Sequence, residues 1–293
     1  MHPVAAAPAA GRPDATRSGS PGTVTPYPTN GGEHVNGLFD LTGKTAVVTG
    51  GSRGIGLMIA RGLVQAGASV VVSSRKAGAC DEAVAELLTS AAPGQQIWAC
   101  PADLSGEDEC RRLADEVAGR IGRLHVLVNN AGANWAAPLP EFPASGWDKV
   151  LNLNLKSPFF LTRAFLPLLA KAATADDPAR VINIGSIDGL RVPFLPNYSY
   201  AAAKAGLHQL TRVLAVELGP QHITVNAVAP GPFESKMMAQ TLREHGDQIA
   251  AHVPLGRIGR PDDMAGVAVF LASRGGAYVN GAVIPVDGGI TAR

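Results

Sequence analysis

Thr45-Ala46-Val47-Val48-Thr49-Gly50-Gly51-Ser52-Arg53-Gly54-Ile55-Gly56 carries a short β-branched apolar run straight into a glycine-rich turn. Leu57, Ile59, Ala60, Leu63 and Val64 follow at helical spacing, so the segment predicts strand, tight turn and helix in sequence. Glycines at 50, 54 and 56 allow a tight turn, close approach of a pyrophosphate and close packing of helix on strand. The helix that follows offers free N–H groups and a positive dipole end to an anion. A glycine-rich turn alone is ordinary, but its place between strand and helix makes it a phosphate loop.

Outward from this turn the same alternation continues. Thr45–Thr49, Ser69–Ser73, Leu124–Val128, Val181–Ile184, Ile223–Val228 and Val283–Val286 read as buried strands, β-branched and nearly continuously apolar. Cys110, Leu113, Ala114, Val117 and Ile121 share one helical face, with Ser105 and Asp108 placed as a capping box. Met264, Val267, Ala268 and Leu271 repeat the pattern behind Pro261. Strand–helix alternation implies right-handed crossovers and an α/β, Rossmann-type doubly wound parallel sheet in one domain.

The chain has 293 residues, 46% hydrophobic and 17% charged, enough for a buried core. Lys+Arg total 25 against 24 Asp+Glu, a net charge of +1 that gives no footprint for nucleic acid. No apolar run reaches the roughly 18–20 residues that span a bilayer. Residues 1–37 are rich in Pro, Gly and Ala, and read as a disordered tail without the apolar region of a secretory signal. The domain is then 38–293. Cys80, Cys100 and Cys110 show neither CxxC nor metal-ligand spacing, so a reducing, cytoplasmic setting is expected and no metal.

The second strand ends in Ser73-Ser74-Arg75-Lys76, with no acid before Asp81. A carboxylate there would suit the ribose hydroxyls of NAD; positive charge suits the 2′-phosphate of NADP. Arg75 and, from the glycine turn, Arg53 can supply it, so NADP(H) is the expected cofactor. Tyr200 and Lys204 are four residues apart and share a helical face, where an ammonium is expected to lower the phenol's pKa into a useful range for proton transfer. Tyr198 has Ala202 in the corresponding place and is excluded. Ser186 follows the carboxyl end of a buried strand, the edge where ligands bind in open α/β sheets.

The Thr49-Gly50…Gly54-Ile55-Gly56 spacing, TGxxxGxG, resembles the first turn of the short-chain dehydrogenase/reductase family, and the resemblance extends over roughly residues 40–290. It implies the catalytic set Asn154, Ser186, Tyr200 and Lys204, with Asn154 (preferred over Asn152) positioning a water toward Lys204. It implies a cofactor shell of Gly50, Ser52, Arg53, Gly54, Ile55, Gly56, Ser74 and Arg75 at the phosphates and adenosine ribose. Asp103-Leu104 would lie at the adenine and Asn130-Ala131-Gly132 along the cleft. Tyr200, Lys204, Pro230-Gly231 and Ser235 would hold the nicotinamide end. Ala203 replaces the Ser that often precedes the Lys. Pro232–Val253, with Met237 and Met238, would form a substrate lid.

Gly50–Gly56, Ala133-Asn134-Trp135, Ser145-Gly146-Trp147, Ala179–Ser186 and Leu207-His208-Gln209-Leu210 are similar to 3-oxoacyl-[acyl-carrier-protein] reductases of the rhamnolipid type. That similarity implies NADPH-dependent reduction of a ketone, a 3-oxoacyl thioester or related β-keto compound. Two alternatives are a gluconate-type sugar dehydrogenase and a non-catalytic nucleotide-binding regulator. Trp135 and Trp147 are read chiefly as packing residues, with an acyl pocket as the alternative. The resemblance also implies a homotetramer or dimer.

Overall fold

The computed structural model describes residues 35–235 and 238–293. Seven parallel strands form one sheet: β1 (Thr45–Thr49), β2 (Ser69–Ser73), β3 (Ile97–Ala99), β4 (Val126–Asn129), β5 (Ala179–Ile184), β6 (Ile223–Pro230) and β7 (Val283–Val286). Their order is β3-β2-β1-β4-β5-β6-β7. The order reverses between β1 and β4, which opens a crevice at the carboxyl ends of those strands.

Alternate residues of each strand enter different cores, which is why the strands read as continuous apolar runs. Val48, Val70, Val72, Val126, Val128 and Ile182 pack under α1 (Gly54–Gln65), α2 (Ala77–Leu88) and α8 (Pro261–Ala272). Val47, Val71, Leu127, Val181 and Val225 pack on the other face under α3 (Glu107–Ala118), α5 (Ser157–Ala172) and α6 (Tyr198–Leu218). Each fully buried Val or Leu side chain contributes about 1.5–3 kcal/mol. Contact between α1 and α8 is close enough that a Cβ on Gly62 would come within 2.7 Å of the Ala265 Cβ.

Several sequence expectations change in detail. β4 runs from Val126, not Leu124, and β5 and β6 are longer than their apolar runs because Ala179-Arg180 and Ala229-Pro230 join the ladder. β3 has only three residues and pairs on one side alone, too short to show a period. The capping box at Ser105 does not form: α3 starts after Gly106, and the Ser105 N–H instead donates to Asp103 Oδ1 at 3.2 Å. Such a closure appears at α8, where the Arg260 N–H donates to Asp263 Oδ2 at 2.7 Å. Between α4 (Ala144–Leu151) and α5 lies one π-helical turn, Asn152–Lys156. The last helix before α8 is α7 (Ala239–His252). Of the expected tail, residues 1–34 lie outside the described residues, as does Met237 of the expected lid.

Candidate active site

The glycine turn is built around Thr49 and Asn130. Thr49 Oγ1 donates to the Val128 carbonyl at 3.1 Å and accepts from the backbone N–H groups of Asn130 (3.0 Å) and Ala131 (3.1 Å). Asn130 Nδ2 donates to the Thr49 carbonyl at 2.8 Å and to that of Gly50 at 3.2 Å. These bonds tie the ends of β1 and β4 together at the reversal of strand order. Gly50 and Gly54 have φ of 62° and 53°, conformations that suit glycine. A Cβ on Gly56 would fall on the Gly50 carbonyl oxygen and on Asn130 Nδ2. The turn is therefore a backbone cradle that a side chain would fill.

A cleft of about 1020 Å³ opens over this turn. The expected cofactor residues Gly50, Ser52, Arg53, Gly54, Ile55, Gly56, Ser74, Arg75, Leu104, Asn130, Ala131, Gly132, Pro230, Gly231 and Ser235 all line it, as do Ser186, Tyr200 and Lys204. Its size falls at the upper end of ligand pockets, about 300–1,000 Å³. Arg53 and Arg75 are exposed at one end, and neither forms an ion pair among the described residues. Their free guanidinium groups and the absence of an acid before Asp81 fit a 2′-phosphate better than a bare ribose. Ser235 leans over Gly54 in the glycine turn, where an added Cβ would come within 3.3 Å of the Ser235 Cβ.

Two expected residues stand off the cleft wall. Asp103 is exposed, and its Oδ1 holds the Ser105 N–H, while Ala102 and Leu104 face the cleft on either side of it. Asn154 sits in the π-helical turn, 1% exposed, with Oδ1 accepting from the Ala133 N–H at 2.8 Å and Nδ2 donating to the Ala133 carbonyl at 2.9 Å. It clamps the irregular segment that follows Gly132 and stands one layer behind the site. Trp135 packs on Gly146, with Lys149 Nζ 5.3 Å from its ring, and Trp147 meets Phe142 edge-on. Neither indole lines the cleft.

Ser186 lies two residues beyond the end of β5, its Oγ accepting from the Asp188 N–H at 3.1 Å. Lys204, 4% exposed, donates from Nζ to the Ile184 carbonyl at 2.6 Å and lies 5.5 Å from the centre of the Tyr200 ring. The expected acidifying effect of the ammonium on the phenol finds no support in this geometry. Burial pushes the Tyr200 hydroxyl up to about 12; Ser186 draws it down and the Asp188 charge raises it further. Burial also brings Lys204 down to about 8. The ammonium is aimed at a carbonyl and the ring face, so it does little for the phenolate.

The cleft also holds residues that motif spacing did not single out. Asp188, Arg191, Phe194, Leu195 and Asn197 come from the segment between β5 and α6, and Gln248, Ile249 and His252 from α7. Asp188 was the most accessible of these to sequence reasoning, being an acid two residues after Ser186.

A phosphate-cradling turn, a tyrosine one helical turn from a lysine, and a serine at the adjoining strand end define a dinucleotide-dependent dehydrogenase or reductase. A family model described as enoyl-(acyl carrier protein) reductase, of the short-chain alcohol dehydrogenase group, matches residues 50–291. The chain belongs to the short-chain dehydrogenase/reductase family. It is 48% identical over 253 residues to the rhamnolipids biosynthesis 3-oxoacyl-[acyl-carrier-protein] reductase of Pseudomonas aeruginosa, covering 86% of this chain and 97% of that one. The gluconate 5-dehydrogenase of Gluconobacter oxydans is 34% identical, over 87% and 97%. Among solved structures, the Pseudomonas aeruginosa RhlG/NADP active-site complex superposes with a TM-score of 0.83 at 47% identity, over 87% of this chain and 99% of that one.

Proposed function

We propose that this protein reduces a ketone to a secondary alcohol with NADPH, acting on a 3-oxoacyl thioester or related β-keto compound. The observation that carries this is Tyr200 beside Ser186 on the wall of a cleft whose other end presents Arg53 and Arg75. The similarity to the rhamnolipid 3-oxoacyl reductase, at 48% identity against 34% for the gluconate enzyme, favours the thioester over a sugar. Arg53, Arg75 and Ser74 hold the 2′-phosphate end, the glycine turn the pyrophosphate, and Lys204 with Pro230, Gly231 and Ser235 the nicotinamide end. When bound, NADPH supplies the hydride that reduces the carbonyl carbon.

The protein's own residues handle the oxygen. Ser186 and Tyr200 both present hydroxyls to it, Ser186 to orient it and Tyr200 to give the proton. A phenol held near pKa 12 stays protonated at every working pH, which suits a proton donor to a developing alkoxide. Asn154 fixes Ala133 and so the cleft wall beside the nicotinamide end.

Two broader readings belong to this proposal. The protein works in the cytoplasm, supported by three free, buried cysteines. Among the described residues no helix is long and apolar enough to cross a membrane. It assembles as a homodimer or tetramer, supported by Val213 and Val216, 54% and 81% exposed on α6.

The test follows NADPH oxidation with acetoacetyl thioesters, diketones and sugar ketones, with NADH run in parallel. Thioester turnover with NADPH is expected, and Tyr200→Phe should lower kcat at least ~100-fold with NADPH affinity kept. Undiminished turnover in that variant would falsify the assignment.

A further inference from the structure

The substrate side of the cleft contains two acceptor oxygens to which no described residue donates a hydrogen bond. Asn197 caps α6 at its N-terminus, is 2% exposed and lines the cleft. Its Nδ2 donates to Asp188 Oδ2 at 3.1 Å, but its Oδ1 has no partner. Asp188 also lines the cleft, two residues from Ser186, and its Oδ1 accepts no bond from any described residue. Arg191, the nearest cation in sequence, makes no ion pair with it. Its Nε donates to the Val192 carbonyl at 3.3 Å and its guanidinium lies 4.2 Å from the centre of the Phe194 ring.

Buried polar atoms in native proteins are nearly always paired, and a carboxylate can only accept. A buried amide oxygen without a partner, and beside it a partly exposed carboxylate oxygen to which no described residue donates, stand next to the serine that meets the carbonyl and call for a donor from outside the chain. Burial raises the Asp188 carboxyl, with the Asn197 amide and Arg191 opposing, which marks it as a group short of donors. The arrangement is held rigidly. Asp188 is tethered through its N–H to Ser186 Oγ and through its carboxylate to the helix cap, so its free oxygen keeps a set relation to the reacting carbonyl.

We propose that Asp188 and Asn197 form an acceptor pair that binds an N–H or O–H carried by the substrate near its carbonyl group. This rests on the carbonyl-reductase reading above and specifies what that site selects. Two substrate types present such a donor: a thioester whose arm bears an amide N–H, and a hydroxyketone. A ketone lacking a donor displaces water from these acceptors without replacing its hydrogen bonds, and is discriminated against for that reason.

Two matched substrate pairs, each differing by the donor alone, test this with NADPH and the full chain. The first pair is acetoacetyl-N-acetylcysteamine and its S-(2-acetoxyethyl) analogue, in which an ester oxygen replaces the amide N–H; the second is 4-hydroxy-2-butanone and 2-butanone. The wild-type protein should prefer the donor-bearing member by ~10- to 100-fold in kcat/KM, read mainly in KM. In Asp188→Ala that preference should shrink to within about 3-fold, because the charged acceptor is gone. Asp188→Asn keeps the size and one acceptor oxygen without the charge, and should fall between the two. NADPH affinity, measured by fluorescence, reports that each variant is folded.

Preference in the thioester pair supports the proposal with an amide as the donor. Preference in the hydroxyketone pair alone, with both thioesters inert, also supports it and instead removes the thioester from the proposed function. Equal rates or equal inertness within both pairs overturns the acceptor pair. So does a preference that survives intact in Asp188→Ala.

Discussion

Tyr200 and Lys204 show how far a residue pattern reaches and where it stops. Their four-residue spacing placed both on one face of α6 and in the cleft, as the sequence implies. The direction of the phenol's shift did not follow, because it depends on burial and on the Ile184 carbonyl, which folding alone brings to the ammonium. A consequence can be measured. With Tyr200 near 12 and Lys204 near 8, the first group to lose its proton on raising the pH is the lysine. The profile of kcat/KM for reduction reports the free enzyme. Its alkaline limb should fall near pH 8 as Lys204 becomes neutral and its bond to the Ile184 carbonyl loses its charge assistance. In Lys204→Arg, which stays charged throughout, that limb should leave the accessible range even if the rate drops. A limb that remains near pH 8 in the arginine variant would assign it elsewhere.

At the scale of elements, the sheet was legible because β1, β2 and β7 carry their own apolar signature and match their sequence-derived bounds residue for residue. β3 was not, since three residues at a sheet edge show no period. Asp103 was assigned a place on the cleft wall, yet the chain uses its carboxylate locally to close a turn. Contacts across long sequence separations were also hidden. Lys44 just before β1, Asp177 before β5 and Arg180 within it form a largely buried cluster at the end of the sheet opposite the site. Arg180 is 1% exposed; its Nη1 donates to Asp177 Oδ1 at 2.6 Å and its Nη2 to the Ser273 carbonyl at 2.7 Å, beyond the end of α8. The cluster fastens β1, β5 and α8 together. Asp177→Ala leaves two buried cations without their carboxylate. It should destabilise the fold by about 3 kcal/mol, the lower end for a broken buried pair because Asp177 is one-third exposed. Urea unfolding reads this directly, and a loss under ~1 kcal/mol would show that solvent already screens the cluster.

Across the whole molecule, the two ends of the sheet each hold a histidine in its neutral form, His125 half-buried and His208 buried. His125 opens onto the Lys44 cluster and its Nδ1 accepts from the Thr45 N–H at 3.0 Å. Burial lowers it to about 4, with Lys44, Arg123 and Arg180 adding to the effect and Asp177 opposing. His208, one turn beyond Lys204, is 2% exposed against Gly185 and Gly189 with neither ring nitrogen hydrogen-bonded. Burial lowers it to about 4 as well, helped by Lys204 and Arg212 and opposed by the Gly189 backbone. In the unfolded chain both rings titrate near 6.5. Between those values the unfolded state binds more protons than the native one, so stability rises with pH across the window. The contribution is whole above pH 6.5 and is lost as the pH falls toward 4. Asp188, raised by burial, opposes this in part as it takes up its proton. The melting temperature should therefore decline steadily from pH 6.5 to 4.5, with about two protons taken up on unfolding near pH 5. His125→Gln, whose amide oxygen can still accept from Thr45, and His208→Gln should each flatten that slope. A melting temperature that holds level or climbs on acidification would mean that one or both rings already carry a proton in the native protein.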